Sequence, residues 1–504
     1  MFRKILIANR GEIAVRILRA CREMGIATVA VYSEADAQAP HVHLADEAYP
    51  IGPAPATESY LNIPKLIEVA RESGAEAVHP GYGFLAENPA FARAVREAGL
   101  TFIGPPPEAM ALMGDKAQAR QRMAAAGVPV VPGVSQVAGD EDLARAAERI
   151  GYPVLLKAAA GGGGKGMRVV WKPEDLQEAA DAARWEAASA FGDDRLIVEK
   201  YVPRAHHVEV QVLADGHGTV LALYERECSV QRRYQKIIEE TPSPVLAPET
   251  RQALLQAAVQ AARAVGYTNA GTVEFILDPD TQAFYFLEMN TRLQVEHPIT
   301  EMVLGVDLVQ WQIRVAAGEP LPAWIAERTP RGHAIEARVY AEDPAQDFFP
   351  TSGPLLAVVE PQGPGIRVDS GVTAGMEVTP YYDPLLAKII AYGEDREQAR
   401  RRLLAALRQT VYLGLPTNVP FLLDVLQHPD FVAGRVHTRW VEEVMLPWEP
   451  TPPEPWAVAA AAWVMQRKSS PTLPTSGRDG AQKGQISPWQ RLRLWYPGGR
   501  SEGS

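Results

Sequence analysis

FYFLEMNTRLQVEHP, residues 284–298, combines a strand pattern with the densest set of candidate site residues in the sequence. It begins with four apolar residues typical of a strand and then presents acidic, amide and basic side chains within a short span. Alternate side chains of a strand lie on one face, so Glu288, Asn290 and Arg292 are predicted to point in the same direction. We therefore expect hard oxygen ligands beside a fixed cation.

The alternation extends to Gln294 and Glu296 if the backbone stays extended after Arg292. A further carboxylate, Glu274, lies in the apolar segment GTVEFIL, where it has no obvious surface role. Two carboxylates and an amide oxygen suit Mg²⁺, which takes its remaining ligands from water and substrate phosphates. Solvated carboxylates at a sheet edge are the alternative, but the density of polar groups within apolar strands favours a metal site.

Three motifs in one order give the sequence its family resemblance. EMNTRLQVEHPITE (288–301), the glycine loop GGGGKGMR (161–168) and ECSVQRRYQK (227–236) closely resemble biotin carboxylase, an ATP-grasp enzyme. The resemblance runs from about Phe2 to Pro447. It implies an α/β and α+β fold, in which the ATP-grasp follows a doubly wound parallel-sheet domain and precedes a C-terminal biotin carboxylase subdomain.

The rhythm of strands and helices agrees with that domain order. Short apolar strands alternate with helical patterns in the first part of the chain, which indicates βαβ units and a parallel sheet. This first part of the chain contains no GxGxxG motif, so a dinucleotide site there is disfavoured. The expected domains are the N-terminal domain at 1–113, the ATP-grasp domain at 114–330 with a mobile lid at 134–202, the C-terminal domain at 331–447, and a linker and disordered tail at 448–504.

Composition excludes several functional classes. The 504 residues exceed one ordinary core, and 47% hydrophobic with 22% charged residues is typical of soluble globular proteins. No apolar run reaches the ~18 residues of a membrane span, and the start lacks the layout of a signal peptide. A net charge of −11 disfavours nonspecific nucleic-acid binding. Cys21 and Cys228 match no metal spacing and favour a reducing cytoplasm.

The glycine loop indicates a nucleotide site. Successive glycine N–H groups can turn inward to bind an anion, and a flexible loop can close over a triphosphate. The loop is not a Walker A motif, because Gly166 follows Lys165. The resemblance implies ATP contacts from Lys116, Lys157, Gly163, Gly164, Gly166, Glu199, Lys200, Val202, His207 and Gln231, and Mg²⁺ or Mn²⁺ ligation by Glu274, Glu288 and Asn290.

The resemblance also implies the chemistry of bicarbonate activation. Glu296 would remove the bicarbonate proton, and the resulting anion would attack the γ-phosphoryl group of ATP to give carboxyphosphate. Positioning and charge neutralisation do most of the work in such transfers. Arg338 would stabilise the enolate-like biotin beside Tyr82. The substrate-binding set implied is Tyr82, Lys236, Arg292, Gln294, Val295, Glu296 and Arg338, of which Glu296, Arg292, Lys236 and Arg338 are catalytic.

Partners follow from what the sequence contains. No methionine-lysine-methionine biotinylation turn is present, so we expect a separate biotin carboxyl carrier protein, together with carboxyltransferase subunits and a homodimeric state. Acetyl-CoA carboxylase of fatty acid biosynthesis is the expected assembly. The alternative is a fragment of the α-subunit of a methylcrotonyl- or propionyl-CoA carboxylase, because SPWQRLRLWYPGGR (487–500) resembles the connecting domain of such subunits.

Other readings remain open at this point. Most biotin carboxylases have a histidine where Tyr234 stands, which leaves the nucleotide contact at this position in doubt. Another ATP-grasp ligase, such as a carboxylate–amine ligase or a carbamoyl phosphate synthetase, would share the glycine loop and metal carboxylates. A non-catalytic nucleotide-binding or scaffold protein is a further alternative, which the set of acidic and basic residues disfavours.

Overall fold

The structure is a computed structural model that describes residues 1–137, 139–158, 167–191, 195–452 and 455. Residues Met1–Pro450 form one compact unit, and Thr451–Ser504 form a second, of which only residues 451, 452 and 455 are described. The predicted phosphate contacts Gly163, Gly164 and Gly166 and almost all of the predicted tail therefore lie outside the described residues.

A parallel five-stranded sheet forms the N-terminal part, as predicted, with the strand order β3-β2-β1-β4-β5. Its central strand, β1, is covered by helices on both faces, which explains why the three residues after Lys4 are apolar and buried. The elements are β1 (Lys4–Ile7), α1 (Gly11–Glu23), β2 (Ala27–Ser33), α2 (Pro40–Leu44), β3 (Glu47–Gly52), α3 (Ile63–Glu72), β4 (Ala77–His79), α4 (Pro89–Glu97), β5 (Thr101–Phe102) and α5 (Pro107–Gly114).

A smaller antiparallel sheet follows, with the strand order β6-β9-β7-β8. Two amphipathic helices pack on it and bury a small core of their own, which includes Leu143, Leu156 and Val198. The elements are α6 (Lys116–Ala125), β6 (Gly133–Val137), α7 (Asp140–Ile150), β7 (Val154–Ala158), β8 (Arg168–Val170), α8 (Leu176–Phe191) and β9 (Leu196–Lys200).

An antiparallel sheet of eight strands, ordered β14-β13-β10-β11-β12-β15-β22-β20, carries most of the predicted site. Its register pairs Glu274 with Glu288 and Arg338 with Lys388 across neighbouring strands. The elements up to its sixth strand are β10 (His206–Ala214), β11 (Val220–Arg232), β12 (Gln235–Thr241), α9 (Pro248–Ala264), β13 (Asn269–Leu277), β14 (Phe284–Asn290), α10 (His297–Leu304), α11 (Leu308–Ala316), α12 (Ala323–Ala326) and β15 (His333–Tyr340).

The remaining elements extend this sheet and cover one of its faces. Helices α13 and α14 pack on β15 and β22 and close an apolar core around Leu403, Phe421 and Trp440. The elements are β16 (Glu342–Asp343), β17 (Phe349–Pro350), β18 (Gly353–Pro354), β19 (Ala357–Val359), β20 (Ile366–Ser370), β21 (Glu377–Val378), β22 (Leu385–Gly393), α13 (Arg396–Gln409), β23 (Val411–Leu413), α14 (Val419–Gln427), α15 (Pro429–Val432) and a π-helical turn at Val441–Met445.

One local expectation needs correction. The backbone does not stay extended to Glu296, because β14 ends at Asn290 and Glu296 is already the N-cap of α10. The strand that carries Arg338, β15, is buried along all eight of its residues. Within the described part of the chain, no helix combines the length and hydropathy that a membrane crossing requires.

Candidate active site

The centre of the site is the ammonium group of Lys236, which lies among three carboxylates. Its Nζ donates to Glu209 Oε2 at 2.5 Å, to Glu296 Oε1 at 2.7 Å and to Glu274 Oε1 at 3.0 Å. Burial by itself would lower the pKa of Lys236, but the three carboxylates raise it well above its usual range. Lys236 is therefore a permanent cation at the middle of the sheet.

Glu296 lies between Lys236 and Arg338. Its Oε2 accepts from Arg338 Nη2 at 3.0 Å, and its side chain is 1% exposed. Burial would raise the pKa of Glu296, but Lys236, Arg338 and Arg226 together hold it well below its usual range. The carboxylate is thus ionised and aimed, as a proton acceptor must be, by two cations from different strands.

Arg338 is itself held from the other side by Glu239, a fully buried residue of β12. Arg338 Nε donates to Glu239 Oε1 at 2.5 Å. Burial raises the pKa of Glu239 to about 7, against the opposing effect of Arg338. One guanidinium therefore lies between two carboxylates, those of Glu239 and Glu296.

The carboxylate of Glu274 accepts hydrogen bonds from two amide side chains of the predicted site. Its Oε1 accepts from Asn290 Nδ2 at 2.7 Å and from Gln294 Nε2 at 3.0 Å, and its Oε2 lies 2.9 Å from His207 Nε2. Burial would raise the pKa of Glu274, but Lys236 and His207 hold it well below its usual range. His207 thus contacts a predicted metal ligand in this structure.

The predicted metal ligands fit Mg²⁺ by their chemistry. Glu274 and Glu288 oppose each other on adjacent strands, and Asn290 follows two residues later on the same face. Burial and the nearby Glu274 carboxylate raise the pKa of Glu288, as is expected for two carboxylates on adjacent strands. His207, Glu209 and Glu274 also converge, but Lys236 already supplies positive charge to Glu209 and Glu274.

Arg292 connects this centre to the N-terminal part of the chain. Its Nε donates to Glu87 Oε2 at 2.8 Å, and its Nη1 donates to Gln294 Oε1 at 2.5 Å. Glu87 also accepts from the backbone N–H of Thr291 at 2.8 Å. Glu87 was not among the predicted site residues. Its place in the polar turn after a parallel strand was the signal that could have indicated a role in the site.

A cavity of about 500 Å³ opens beside these groups. Tyr82, Arg292, Val295 and Arg338 line it together with Tyr382, so four residues of the predicted substrate set surround one space. Asn9 donates to the backbone carbonyl of Tyr82 at 2.8 Å and fixes that wall. The cavity has the concave shape and the few convergent polar groups of a small-molecule site.

The predicted nucleotide contacts are divided between the smaller sheet, which carries Lys157, Glu199 and Lys200, and the large sheet, which carries His207 and Gln231. Lys157 Nζ donates to Glu199 Oε2 at 2.5 Å, and Lys200 Nζ donates to the carbonyl of Tyr152 at 3.0 Å. Lys116 is exposed, and its Nζ lies 3.8 Å from Glu288 Oε2. Val202 and Gln231 are both buried, the latter on β11. Tyr234 is 70% exposed at the tip of the β11–β12 hairpin.

Two buried charges near the site had no part in the sequence-based prediction, Glu12 and Lys388. Lys388 donates to the backbone carbonyl of Val295 at 2.8 Å and lies 3.3 Å from Glu12 Oε1. Burial raises the pKa of Glu12 to about 7, although Lys388 opposes the shift. A lysine within the apolar strand LLAKIIAYG was the signal that could have found this pair.

Comparison with known proteins gives three family matches along the chain. The biotin carboxylase N-terminal domain matches residues 1–110, the ATP-binding domain of the carbamoyl-phosphate synthase L chain matches 115–324, and the biotin carboxylase C-terminal domain matches 336–443. The three matches follow one another in the order that the sequence motifs indicated.

Individual relatives are similar over most of the chain. Biotin carboxylase 1 of Bacillus subtilis is 51% identical over 88% of this chain and 98% of its own length. The α-subunit of mitochondrial methylcrotonoyl-CoA carboxylase of Rattus norvegicus is 52% identical over 87% of this chain, which spans only 62% of that relative. The biotin carboxylase domain dimer of Hydrogenobacter thermophilus 2-oxoglutarate carboxylase, solved with MgADP, ADP and bicarbonate, has a TM-score of 0.80 and 49% identity, covering 88% of this chain and 98% of that one.

Proposed function

The chain belongs to the biotin carboxylase family, whose members are ATP-dependent ligases, and from this premise we propose that it carboxylates biotin with bicarbonate and ATP. The observation that carries the proposal is the position of Glu296, a buried carboxylate held between Lys236 and Arg338, whose neighbours Val295 and Arg338 line the cavity. A proton acceptor, two cations and a space for a small substrate meet there.

Each residue has one task in the proposed reaction. Glu296 accepts the proton of bicarbonate, while Arg292, Gln294 and the Val295 backbone hold the anion and Lys236 neutralises its charge. The dianion then attacks the γ-phosphorus of ATP to give carboxyphosphate and ADP. Bound Mg²⁺ would supply further charge neutralisation, with Glu274, Glu288 and Asn290 as its ligands.

The second half of the proposed reaction uses the cavity. Carboxyphosphate breaks down to CO₂ and phosphate, the phosphate accepts the proton from biotin N1′, and N1′ then attacks CO₂ to form carboxybiotin. Arg338 stabilises the negative charge that develops on the biotin ureido oxygen, and Tyr82 packs beside the ring. Removing such a donor commonly lowers kcat by about 10²–10³-fold.

ATP cleavage tests this function directly. Purified protein with MgATP should release ADP when bicarbonate is added, and free biotin should increase the rate and yield carboxybiotin detected with ¹⁴C-bicarbonate. Release of ADP that neither bicarbonate nor biotin stimulates would favour another ATP-grasp ligase. No ADP release at all would favour a non-catalytic nucleotide-binding protein.

The carboxyl acceptor beyond biotin is a finer proposal. We infer that the protein serves acetyl-CoA carboxylase in the cytoplasm, as a homodimer with a separate biotin carboxyl carrier protein and carboxyltransferase. An α-subunit of methylcrotonyl- or propionyl-CoA carboxylase is the alternative. Identity does not separate the two options, since a relative named biotin carboxylase is 51% identical and one named as the α-subunit of methylcrotonoyl-CoA carboxylase is 52% identical. We also propose the domain boundaries predicted from the sequence, 1–113, 114–330, 331–447 and 448–504.

Isolation from the native cell decides between these assemblies. A tagged copy purified with its partners should produce malonyl-CoA from acetyl-CoA, bicarbonate and MgATP. Carboxylation of methylcrotonyl-CoA, propionyl-CoA or a 2-oxo acid instead would assign the protein to the corresponding carboxylase.

A further inference from the structure

Lys388 is a fully buried lysine whose ammonium lies where three parts of the chain meet. It extends from β22, in the large sheet. Its Nζ donates to the carbonyl oxygen of Val295 at 2.8 Å, and it lies 3.3 Å from Glu12 Oε1 and 3.8 Å from Asp369 Oδ2. The same ammonium lies 5.9 Å from the centre of the Tyr82 ring.

Burial of a lysine in such a place lowers the stability of the folded state. Desolvating an ammonium costs several kcal/mol, and a buried ion pair often contributes less stability than apolar residues of the same size would. The surroundings do not make this pair a strong one, since neither oxygen of Glu12 accepts a hydrogen bond within the described part of the chain. Stability alone is therefore a poor explanation for Lys388.

The acceptor of Lys388 has a particular place in the site. The Val295 carbonyl and the Glu296 N–H belong to one planar peptide group, so a bond that fixes the carbonyl also fixes the plane from which Glu296 begins. This peptide lies in a turn between the end of β14 and the start of α10, where no sheet partner holds the backbone. The turn has an independent restraint at Gln294, whose carbonyl accepts from His297 Nδ1 at 2.7 Å.

We propose that Lys388 is a positioning residue for bicarbonate activation, because its ammonium fixes the peptide between Val295 and Glu296 and ties it to the wall that carries Tyr82. The inference rests on the proposed function and names a residue that acts through Val295 and Glu296 rather than on the substrate.

The surroundings hold Lys388 in a fixed place. Its neighbour on one adjacent strand is Arg338 and its neighbour on the other is Asp369, so the ammonium shares a row with the proposed biotin-binding arginine. The backbone at Gly371 passes so close to α1 that an added Cβ would lie 2.3 Å from the Glu12 N atom. A junction this tight keeps a donor at a constant distance from the Val295 carbonyl, as preorganised sites require.

The test compares two variants that differ only at Lys388. Glu12→Gln provides the reference background, since it removes the buried carboxylate that would otherwise be left without a countercharge. Glu12→Gln combined with Lys388→Met then removes the donor while it keeps the length and most of the bulk of the side chain. Thermal unfolding of both proteins and the Kd for MgADP show whether each one is folded and binds nucleotide.

We expect the double variant to differ from its reference in kcat and in the KM for bicarbonate, but not in the KM for ATP. A misplaced base and anion site should raise the KM for bicarbonate about tenfold and lower kcat/KM for bicarbonate by about 10²-fold, while the KM for ATP changes less than about twofold. A loss of folded protein would lower kcat but would leave the KM for bicarbonate unchanged, so KM separates positioning from stability.

The contrary outcomes are equally clear. If the double variant binds MgADP and keeps the reference KM for bicarbonate, Lys388 has no positioning role, whatever happens to kcat. If it does not fold, Lys388→Gln in the same background, which retains an N–H donor, should fold and keep a KM for bicarbonate close to the reference; a KM for bicarbonate raised about tenfold or more in this variant would overturn the proposal. Wild-type protein without bicarbonate-dependent ATP cleavage would instead refute the proposed function.

Discussion

The bicarbonate side and the nucleotide side of the site differ in how their charges are held. On the bicarbonate side, the side chains of Lys236, Glu296 and Arg338 are 12%, 1% and 9% exposed, and each contacts at least one opposite charge. On the nucleotide side, Lys116 and Glu288 are 76% and 41% exposed, and their ammonium and carboxylate lie 3.8 Å apart.

The difference indicates two ways of binding an anion. The buried side is organised before any substrate arrives, because its dipoles and charges are fixed by strands on both sides, and fixed charges need no reorganisation during reaction. The exposed pair of Lys116 and Glu288 is a weak, solvent-screened contact that contributes little by itself. The nucleotide side must gain its strength from the phosphates and metal that bind there.

Loss of the base should give the largest effect. Glu296→Gln removes the proton acceptor but keeps the shape of the side chain, so bicarbonate-dependent ATP cleavage should fall by at least about 10²-fold. The Kd for MgADP should stay within about twofold, because Glu296 contacts Lys236 and Arg338 rather than the predicted nucleotide residues. Steady-state ADP release and equilibrium nucleotide binding measure the two quantities.

Glu240→Gln is the matched control for that substitution. Glu240 is equally buried on β12, but it pairs with His333 and Arg396 away from the cavity. ADP release by this control should stay close to wild type. Retained turnover in Glu296→Gln would refute the assignment of the base.

Arg338 should separate the two halves of the reaction. Arg338→Ala should lower carboxylation of free biotin by about 10²-fold while much of the bicarbonate-dependent ATP cleavage remains. Part of the ATPase loss is expected as well, since Arg338 also contacts Glu296 at 3.0 Å. Equal losses in both assays would mean that Arg338 acts on Glu296 alone and has no separate role towards biotin.

The exposed side should respond less. Lys116→Ala removes a charge that no close contact holds in this structure, so its contribution arises only with bound phosphate. A hydrogen bond to a charged group is worth about 1.5–3 kcal/mol, which corresponds to an increase of about tenfold or more in the KM for ATP. The KM for bicarbonate should not change. Lys65→Ala, a lysine on α3 with only an i,i+3 surface pair, is the control.

Sequence reasoning could predict the fold because its signals were local and redundant. Alternating apolar strands and helices gave the parallel sheet, and the resemblance in three motifs gave the ATP-grasp fold, which the comparison structures confirm. The alternation of side chains along a strand could not predict the turn that leads to Glu296. A helix that starts at His297-Pro298 was the local signal against an extended chain there.

The proposed site residues were also found by motif, but their connections were not. Lys236 and Glu296 are 60 positions apart in the chain yet bond at 2.7 Å, and only strand order and register bring them together. Glu239 and Lys388 had no motif and looked like ordinary strand residues. Their importance becomes visible through burial and partners, which a single sequence does not contain.

The smallest effect on catalysis, and the clearest on stability, should come from the control residue Glu240. Burial would raise the pKa of its carboxyl, but hydrogen bonds and charge from His333 and Arg396 lower it from an ordinary 4.5 to about 2. A lowered folded-state pKa stabilises the protein above the unfolded value, and this stabilisation is lost as pH falls from about 4.5 to about 2. A shift of this size corresponds to about 3 kcal/mol at neutral pH.

Thermal unfolding measured at several pH values tests that linkage. Wild type should lose more melting temperature between pH 5 and pH 3 than Glu240→Gln, because glutamine carries no proton that folding must displace. At pH 7 the variant should already melt lower, since Arg396 loses its buried countercharge and His333 loses a carboxylate partner. Parallel curves for the two proteins would show that Glu240 does not titrate in this range, and its ion pairs would then be structural without being a source of acid sensitivity.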